Sequence, residues 1–475
     1  VPRRSAASVR AEQRVVRFFE RHLKQTKGRW TGQPFILEPF QRDEIIRPIY
    51  GRLDKSGLRV TREALILLAR KGAKSTLTAG LGLYHLLADG EGGAEVYTAA
   101  AKKEQAGIVF STARRMIEMN PMLAAACKPY KSVIEVPETG AIMKCLSSDF
   151  DGGGKLHGLN PSASIIDELW AHRNSDVYDA LTSADAARAQ PLTLNISTVG
   201  PRREGPLWDL YQRALAGDDK ALFMVHFGAK PGMDPHDPAT WRYANPAPWI
   251  ALEYLERQHR RMPLALFEQL HLNRWPEKGV GAWMSEPLWE SNGAKPHIDP
   301  DEPAYLAVDA APKKDTTAVA LVQKDTAGIL NVLVWVFRAD DDLGYLDYAA
   351  VEELIRDLHQ DFYLERIAFD PHTMIRTMMM LDAEGLPVED FPQSVTRMTK
   401  AADVLYRAIV DGRLAHGNDP ELAAAMRAAA IRETPGGFMF HKRKSEKPID
   451  ALTAVTMAVF LAEAEDDAGF YAAAG

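Results

Sequence analysis

The sequence predicts an α/β chain of two domains, with a parallel-type sheet in the first and a mixed sheet in the second. Three observations carry this. The first part alternates short apolar strands with helix-compatible segments, the pattern of a sheet built with crossover helices. From Gly279 to Pro303 glycine and proline recur, as expected at an interdomain junction. Beyond it, "YLAVDAA", "TTAVALVQ" and "ILNVLVWVFR" follow one another with no helix between them, which points to antiparallel pairing. The expected organisation is a first domain over 1–278 with its lid and linker helices, a linker over 279–303, and a second domain over 304–475. At 475 residues the chain is too long for one ordinary core.

In the first domain, "LILLARKGAKSTLTAGL" (Leu65 to Leu81) spells strand, turn and helix. A phosphate-binding loop commonly reads G-x-x-x-x-G-K-[ST], so that backbone N–H groups and a helix N-terminus cradle phosphates while the lysine meets the outer ones. Here Leu68 and Ala73 stand at the two glycine positions. The Lys74-Ser75 pair is kept and Thr76 follows. Gly72 is expected to supply the tight backbone one residue early, and Arg70 and Lys71 add positive charge where phosphates would lie.

Phosphoryl transfer also needs a carboxylate for the metal shell and a group that orients water. "SASIIDELWAH" offers both: a short buried strand ends in Asp167, suited to a metal, and Glu168 follows, suited to polarising water. A basic strand–loop–helix followed by an apolar strand ending in Asp-Glu is how parallel α/β ATPases are built. The strand "LTLNISTVG" ends in Ser197-Thr198, hydroxyls placed to sense a terminal phosphate. Upstream, Gln41-Arg42 follows Pro39-Phe40, and the Gln41 amide can donate and accept at an adenine edge.

In the second domain, Asp309 lies within an apolar strand, Asp370 ends the strand of "RIAFDPHT", and Asp450 opens the final helix of "KPIDALTAVTMAVFLAEAE". A lone aspartate in such a strand is costly to bury and asks for a metal, a basic partner or a hydrogen-bond network. This order resembles the ribonuclease H-like nuclease fold, in which carboxylates hold divalent ions that cut a phosphodiester. Asp309 would bridge the ions and Asp370 and Asp450 would flank it. Asp315 is a further candidate. His372 and Lys447, beside two of the acids, are candidates for contact with DNA phosphate.

With 57 basic and 64 acidic residues the net charge is −7, so nucleic acid must be met by local patches such as Lys102-Lys103, Arg114-Arg115 and His441 to Lys447. Two cysteines, Cys127 and Cys145, give no metal-ligand spacing and no disulfide framework. No apolar run approaches the roughly 20 residues of a membrane span, and the opening segment is too charged for a secretory signal.

The order of "PFQ", "ARKGAKST", "IIDE", "ISTVG", "LNRW", "VDAAPKKDTTA", "FDP" and "KPIDALTAV" resembles the large subunit of tailed-phage terminases over nearly the whole chain. The resemblance implies a RecA-like P-loop ATPase domain followed by a ribonuclease H-like nuclease domain. It implies ATP with Mg²⁺, or Mn²⁺, as cofactors. Lys74, Ser75 and Thr76 would bind phosphate and Mg²⁺, Asp167 would hold metal, and Glu168 would be the hydrolytic carboxylate. Ser197-Thr198 would couple hydrolysis to movement, and Asp309, Asp370 and Asp450 would be nuclease ligands. It further implies double-stranded DNA, a terminase small subunit and the portal protein of a procapsid as partners, a homo-oligomeric ring, and action in the host bacterial cytoplasm and at the portal vertex. Arg70, or Arg202-Arg203, would complete a neighbour's ATP site. The alternative is a RecA-like helicase or remodelling ATPase with an inactive ribonuclease H-like binding module.

Overall fold

The β-branched and leucine-rich runs of the first region become strands buried on both faces, because helices cover both sides of the sheet they form. The computed structural model describes residues 5–101, 103–147, 159–172, 175–184, 187–276, 283–310, 316–338, 348–434, 436–445 and 447–464. The chain divides into two compact units, one of Val1–Gln258 with Phe267–Glu277, the other of His259–Leu266 with Lys278–Gly475.

The first unit is built on strands β1 (Glu63–Leu67), β2 (Glu95–Ala100), β3 (Lys128–Pro129), β4 (Val133–Val136), β5 (Ala141–Ser147), β6 (Ala163–Asp167), β7 (Leu192–Ser197) and β8 (Leu222–His226). Their order is β3-β4-β5-β2-β6-β7-β1-β8. From β5 to β8 every pairing is parallel, and β3 and β4 add an antiparallel edge. β7 therefore separates β1 from β6, and the carboxyl ends of all three lie side by side: Leu67 is in register with Ser197, and Ile196 with Asp167.

The helix Lys74–Leu87 leaves β1 through the loop and is buried almost all round. Two glycines make its close packing possible. A Cβ at Gly80 would come within 2.5 Å of the Phe19 ring, on the amphipathic helix Ala6–His22, and one at Gly82 would come within 3.1 Å of Ile165 on β6. At its far end, Tyr50, His85, Asp89 and Arg59 form a buried polar network.

The second unit carries β9 (Ala304–Ala310), β10 (Thr317–Lys324), β11 (Leu330–Phe337), β12 (Leu364–Phe369), β13 (Val388–Asp390) and β14 (Leu414–Ala415), in the order β13-β12-β9-β10-β11-β14. β9, β10 and β11 are antiparallel, as their sequence spacing predicts, while β12 and β13 join in parallel through helical crossovers. The sheet is mixed. Leu306, Val308 and Ala310 point to one face, into a core shared with Val351, Ile355, Met374 and Leu381 from two helices. Alternation sends Asp309 to the opposite face. There lies the final helix, Asp450–Ala464, whose residues from Asp450 to Ala462 are buried without exception. The stretch expected as a junction contributes two anchors to this unit: Trp283 packs on Phe440 and donates to the Met426 carbonyl, and Trp289 stacks on His416.

Candidate functional site

Between β1 and its helix the loop folds with Lys71 at φ 67° and Ala73 at φ 63°, both in the left-handed region. The tight backbone was expected at Gly72, yet the positive φ angles fall on its two neighbours. Gly72 matters for a steric reason instead. A Cβ there would lie 3.1 Å from the Ala69 carbonyl oxygen, the oxygen that accepts from the Gly72 N–H. The Arg70 N–H donates to the Leu270 carbonyl and Trp249 Nε1 to the Lys71 carbonyl, so the loop is pinned from both sides. Trp249 sits edge-on to Trp30 and tilted against Phe40, which places the segment carrying Gln41 beside the loop.

Lys74 turns its ammonium inward, where it donates to the Leu68 carbonyl at 3.1 Å and lies 3.2 Å from Glu168 Oε1. The other Glu168 oxygen accepts from Trp170 Nε1 (2.7 Å), Ser197 Oγ (3.4 Å), and the Thr198 N–H and Oγ1 (3.2 and 3.1 Å). Glu168 itself stands at φ 49°, a strained position of the kind found where geometry serves a site. Burial alone would raise its pKa; Lys74, the Thr198 N–H and Trp170 outweigh that and hold it below the usual value.

Asp167 is the opposite case. Burial and the adjacent Glu168 charge push it up to about 7, against Lys74 and a hydrogen bond from Ser75. Its Oδ1 is buried without a hydrogen-bond partner. An underpaired, buried hard oxygen beside a helix-opening serine is the donor set that suits Mg²⁺. Thr76 is half-buried in the same first turn. Gln41 is buried, its Oε1 accepting from the Glu38 N–H while its Nε2 has no partner. Arg70 is half-buried; burial lowers its pKa, opposed by Tyr254 and Glu168. Arg202 lies 3.7 Å from Glu204 and Arg203 covers the Trp208 ring.

In the second unit the acids part company. Asp309 Oδ1 accepts from Gln393 Nε2 (2.8 Å), and its Oδ2 lies 2.5 Å from Lys442 Nζ. The same ammonium lies 2.8 Å from Asp450 Oδ1, while Asp450 Oδ2 accepts from Thr316 Oγ1 at 2.5 Å. Two buried carboxylates that share one cation form a donor set suited to a divalent ion. Burial pushes Asp309 up to about 6, opposed by Lys442 and reinforced by Asp450. Asp370 follows Phe369, which is in register with Val308, but its carboxylate caps the next helix by accepting from the His372 N–H at 3.1 Å. Among the described residues no three acids, histidines or cysteines converge as a metal-holding group. Asp315 and Lys102 lie outside the described residues. Lys442, not Lys447, is the basic residue that meets the acids; Lys447 is exposed. Arg114 and Arg115 both pair with Glu118 on their own helix.

Two family models match the chain: "Terminase large subunit, ATPase domain" over residues 39–215 and "Terminase large subunit, endonuclease domain" over residues 334–466. The chain belongs to the terminase large-subunit family. It is an ATPase and an endonuclease in one polypeptide, of the DNA-packaging kind. The first match encloses Gln41, the phosphate loop, Asp167-Glu168 and Ser197-Thr198; the second encloses Asp370, Gln393, Lys442 and Asp450, with Asp309 and Thr316 upstream of it. The terminase large subunit of Enterobacteria phage HK97 is 29% identical over 95% of this chain and 96% of its own. Protein YmfN of Escherichia coli K12 is 24% identical over 65% of this chain and 80% of its own. The crystal structure of the HK97 large terminase aligns over 94% of this chain and 99% of that one, with 27% identity and a TM-score of 0.49. ATP and a divalent metal are the cofactors that such domains use.

Several residues around these sites escape sequence reasoning. Trp170 and Trp249 sit in segments with no periodic pattern. Asn273, within "LNRW", accepts from the Val199 N–H at 2.9 Å and so ties that segment to the end of β7. Its motif was visible, its partner was not. Lys442 is hidden by its neighbours, one cation among several in "HKRKSEK".

Proposed function

We propose that the first unit hydrolyses ATP to drive double-stranded DNA into a procapsid, and that the second cuts concatemeric viral DNA. The observation that carries the motor assignment is the convergence of Lys74, Asp167, Glu168 and Thr198 at the ends of three adjacent parallel strands. Lys74 stabilises charge on the outer phosphates. Ser75 and Asp167 would hold Mg²⁺, which would supply neutralisation of phosphate charge. Glu168 orients and polarises the attacking water, and its hydrogen bonds to Ser197 and Thr198 relay the change in its surroundings to β7. Gln41 presents its unpartnered amide N–H₂ to the base. Asp309, Asp370 and Asp450 would hold the divalent ions of the nuclease, which would supply an activated water and charge stabilisation for the leaving oxygen. Asp370 can cap its helix through Oδ1 and still offer Oδ2 to an ion. A small subunit, a portal ring and neighbouring copies of the chain complete the machine, with Arg70 or Arg202-Arg203 as the residue lent to a neighbour's site. The motor domain is assigned to 1–278 and the nuclease domain to 304–475.

The test separates the two ends of the Lys74–Glu168 ion pair. Lys74→Ala should lose both ATP affinity and turnover. Glu168→Gln should keep affinity, because the carboxylate that competes with phosphate for Lys74 is gone, yet fall at least about a hundredfold in turnover. ATP binding by titration and hydrolysis by phosphate release check both; near-normal turnover in both variants defeats the assignment.

A further inference from the structure

The four oxygens of Asp309 and Asp450 are served by three groups, and one of these is out of the ordinary. Gln393 and Thr316 each donate to one outer oxygen. The two inner oxygens, Asp309 Oδ2 and Asp450 Oδ1, both rest on the single ammonium of Lys442. The acids are 1% and 4% exposed whereas the lysine side chain is 39% exposed, so it reaches into the site from solvent. Its backbone belongs to a short 3₁₀ turn, Lys442–Lys444, beyond the hairpin of β15 (Ile431–Thr434) and β16 (Gly437–Phe440). A flexible four-carbon stem on a surface turn can withdraw without disturbing the sheet or the final helix.

Two buried carboxylates held this close repel each other unless a cation stands between them. In a purely structural ion pair, that cation would have no competitor. Here the oxygens it touches belong to the two acids proposed to hold the nuclease ions, and the role of Lys442 rests on that proposal. We propose that Lys442 is a positioning residue of the nuclease centre: its ammonium holds Asp309 and Asp450 in place until a divalent ion takes the same two oxygens, so that ion loading is an exchange against Lys442. The unloaded centre is thereby kept assembled, and the ion concentration needed for cutting is set by how firmly the lysine holds.

The experiment uses the full chain without nucleotide, titrated with Mn²⁺ by calorimetry and melted with and without Mn²⁺, with Asp309→Asn as the blank for other sites. Lys442→Ala and the stem-preserving Lys442→Met should melt below wild type without Mn²⁺ and gain more from Mn²⁺ than wild type does. Their Asp309-dependent affinity for Mn²⁺ should rise about tenfold or more, the loss of a competing ion pair of ordinary strength, and half-maximal DNA cutting should need correspondingly less Mn²⁺. An Asp309-dependent affinity that is unchanged or weaker in both variants overturns the exchange and leaves the nuclease assignment standing. The same holds if the lowered melting point is not recovered by Mn²⁺, which would mark a structural ion pair only. Identical Mn²⁺ uptake by wild type, Lys442→Met and Asp309→Asn removes the nuclease assignment and the exchange together.

Discussion

Asp89 shows how a single residue supports the motor from a distance. It sits just beyond the phosphate-loop helix, 3.0 Å from His85 Nδ1 and 3.3 Å from Arg59, and the arginine side chain is only 3% exposed. Burial would raise the Asp89 pKa, but His85 and Arg59 outweigh it and hold the group well below its ordinary 3.8. A depressed carboxylate gives stability that is fully present above its unfolded value and is lost as pH falls through the folded one. Asp89→Asn should therefore cost about 3–5 kcal/mol at pH 7, since it leaves Arg59 buried without its counter-ion. The difference from wild type should narrow below about pH 4. Denaturant titrations across pH check this; a penalty that does not vary with pH would mean that packing, not charge, is what Asp89 supplies. None of this is legible in "YHLLADGEGG", because Arg59 comes from a distant turn. Asp167, Glu168 and Asp309 could be picked out in the sequence for a physical reason: a carboxylate in or at the end of an apolar strand needs a partner.

The phosphate loop is the element whose sequence and structure diverge most usefully. By motif, Ala73 is the defect and Gly72 the compensation. In the fold, Ala73 adopts a left-handed backbone, a conformation costing an L-residue roughly 1–2 kcal/mol, while a Cβ at Gly72 would crowd the Ala69 carbonyl oxygen at 3.1 Å. Ala73→Gly should accordingly keep ATP affinity and shift stability by no more than about 1 kcal/mol, the relief of strain offsetting the added freedom of the unfolded chain. Gly72→Ala should displace the loop and weaken ATP binding about tenfold or more, a loss of roughly 1.4 kcal/mol. Equal affinities for the two variants would show that the loop tolerates a Cβ at either place. Other elements were easier to anticipate. β9, β10 and β11 announce themselves by consecutive apolar runs, and the final helix by the periodic pattern of "KPIDALTAVTMAVFLAEAE", although that pattern does not show its burial on every side. β3, at the sheet edge, has two exposed residues and β4 beside it only four, of which Ile134 and Val136 are buried, and they leave no comparable trace.

For the whole molecule, the two sheet classes follow from the way strands are spaced: helices after β1, β2, β6 and β7 in the first unit, whose antiparallel edge β3–β5 has none, and none between β9, β10 and β11 in the second. The order of motifs along the chain carried the family. What composition could not show is that Trp283 and Trp289, lying in a stretch rich in glycine and proline, are buried anchors of the second unit. Tryptophans in such a stretch look the same in sequence whether they line a linker or fill a core. Because the proposed ATPase residues all lie in one unit and the proposed nuclease acids in the other, single substitutions should separate the two chemistries. The most direct measurement is DNA cutting and ATP hydrolysis followed in the same reaction, by the full chain with Mg²⁺ or Mn²⁺, for wild type and Asp309→Asn. A neutral amide binds hard divalent cations far more weakly than a carboxylate, so Asp309→Asn should stop cutting and leave ATP hydrolysis close to the wild-type rate. An Asp309→Asn chain that still cuts DNA at the wild-type rate would contradict the nuclease assignment.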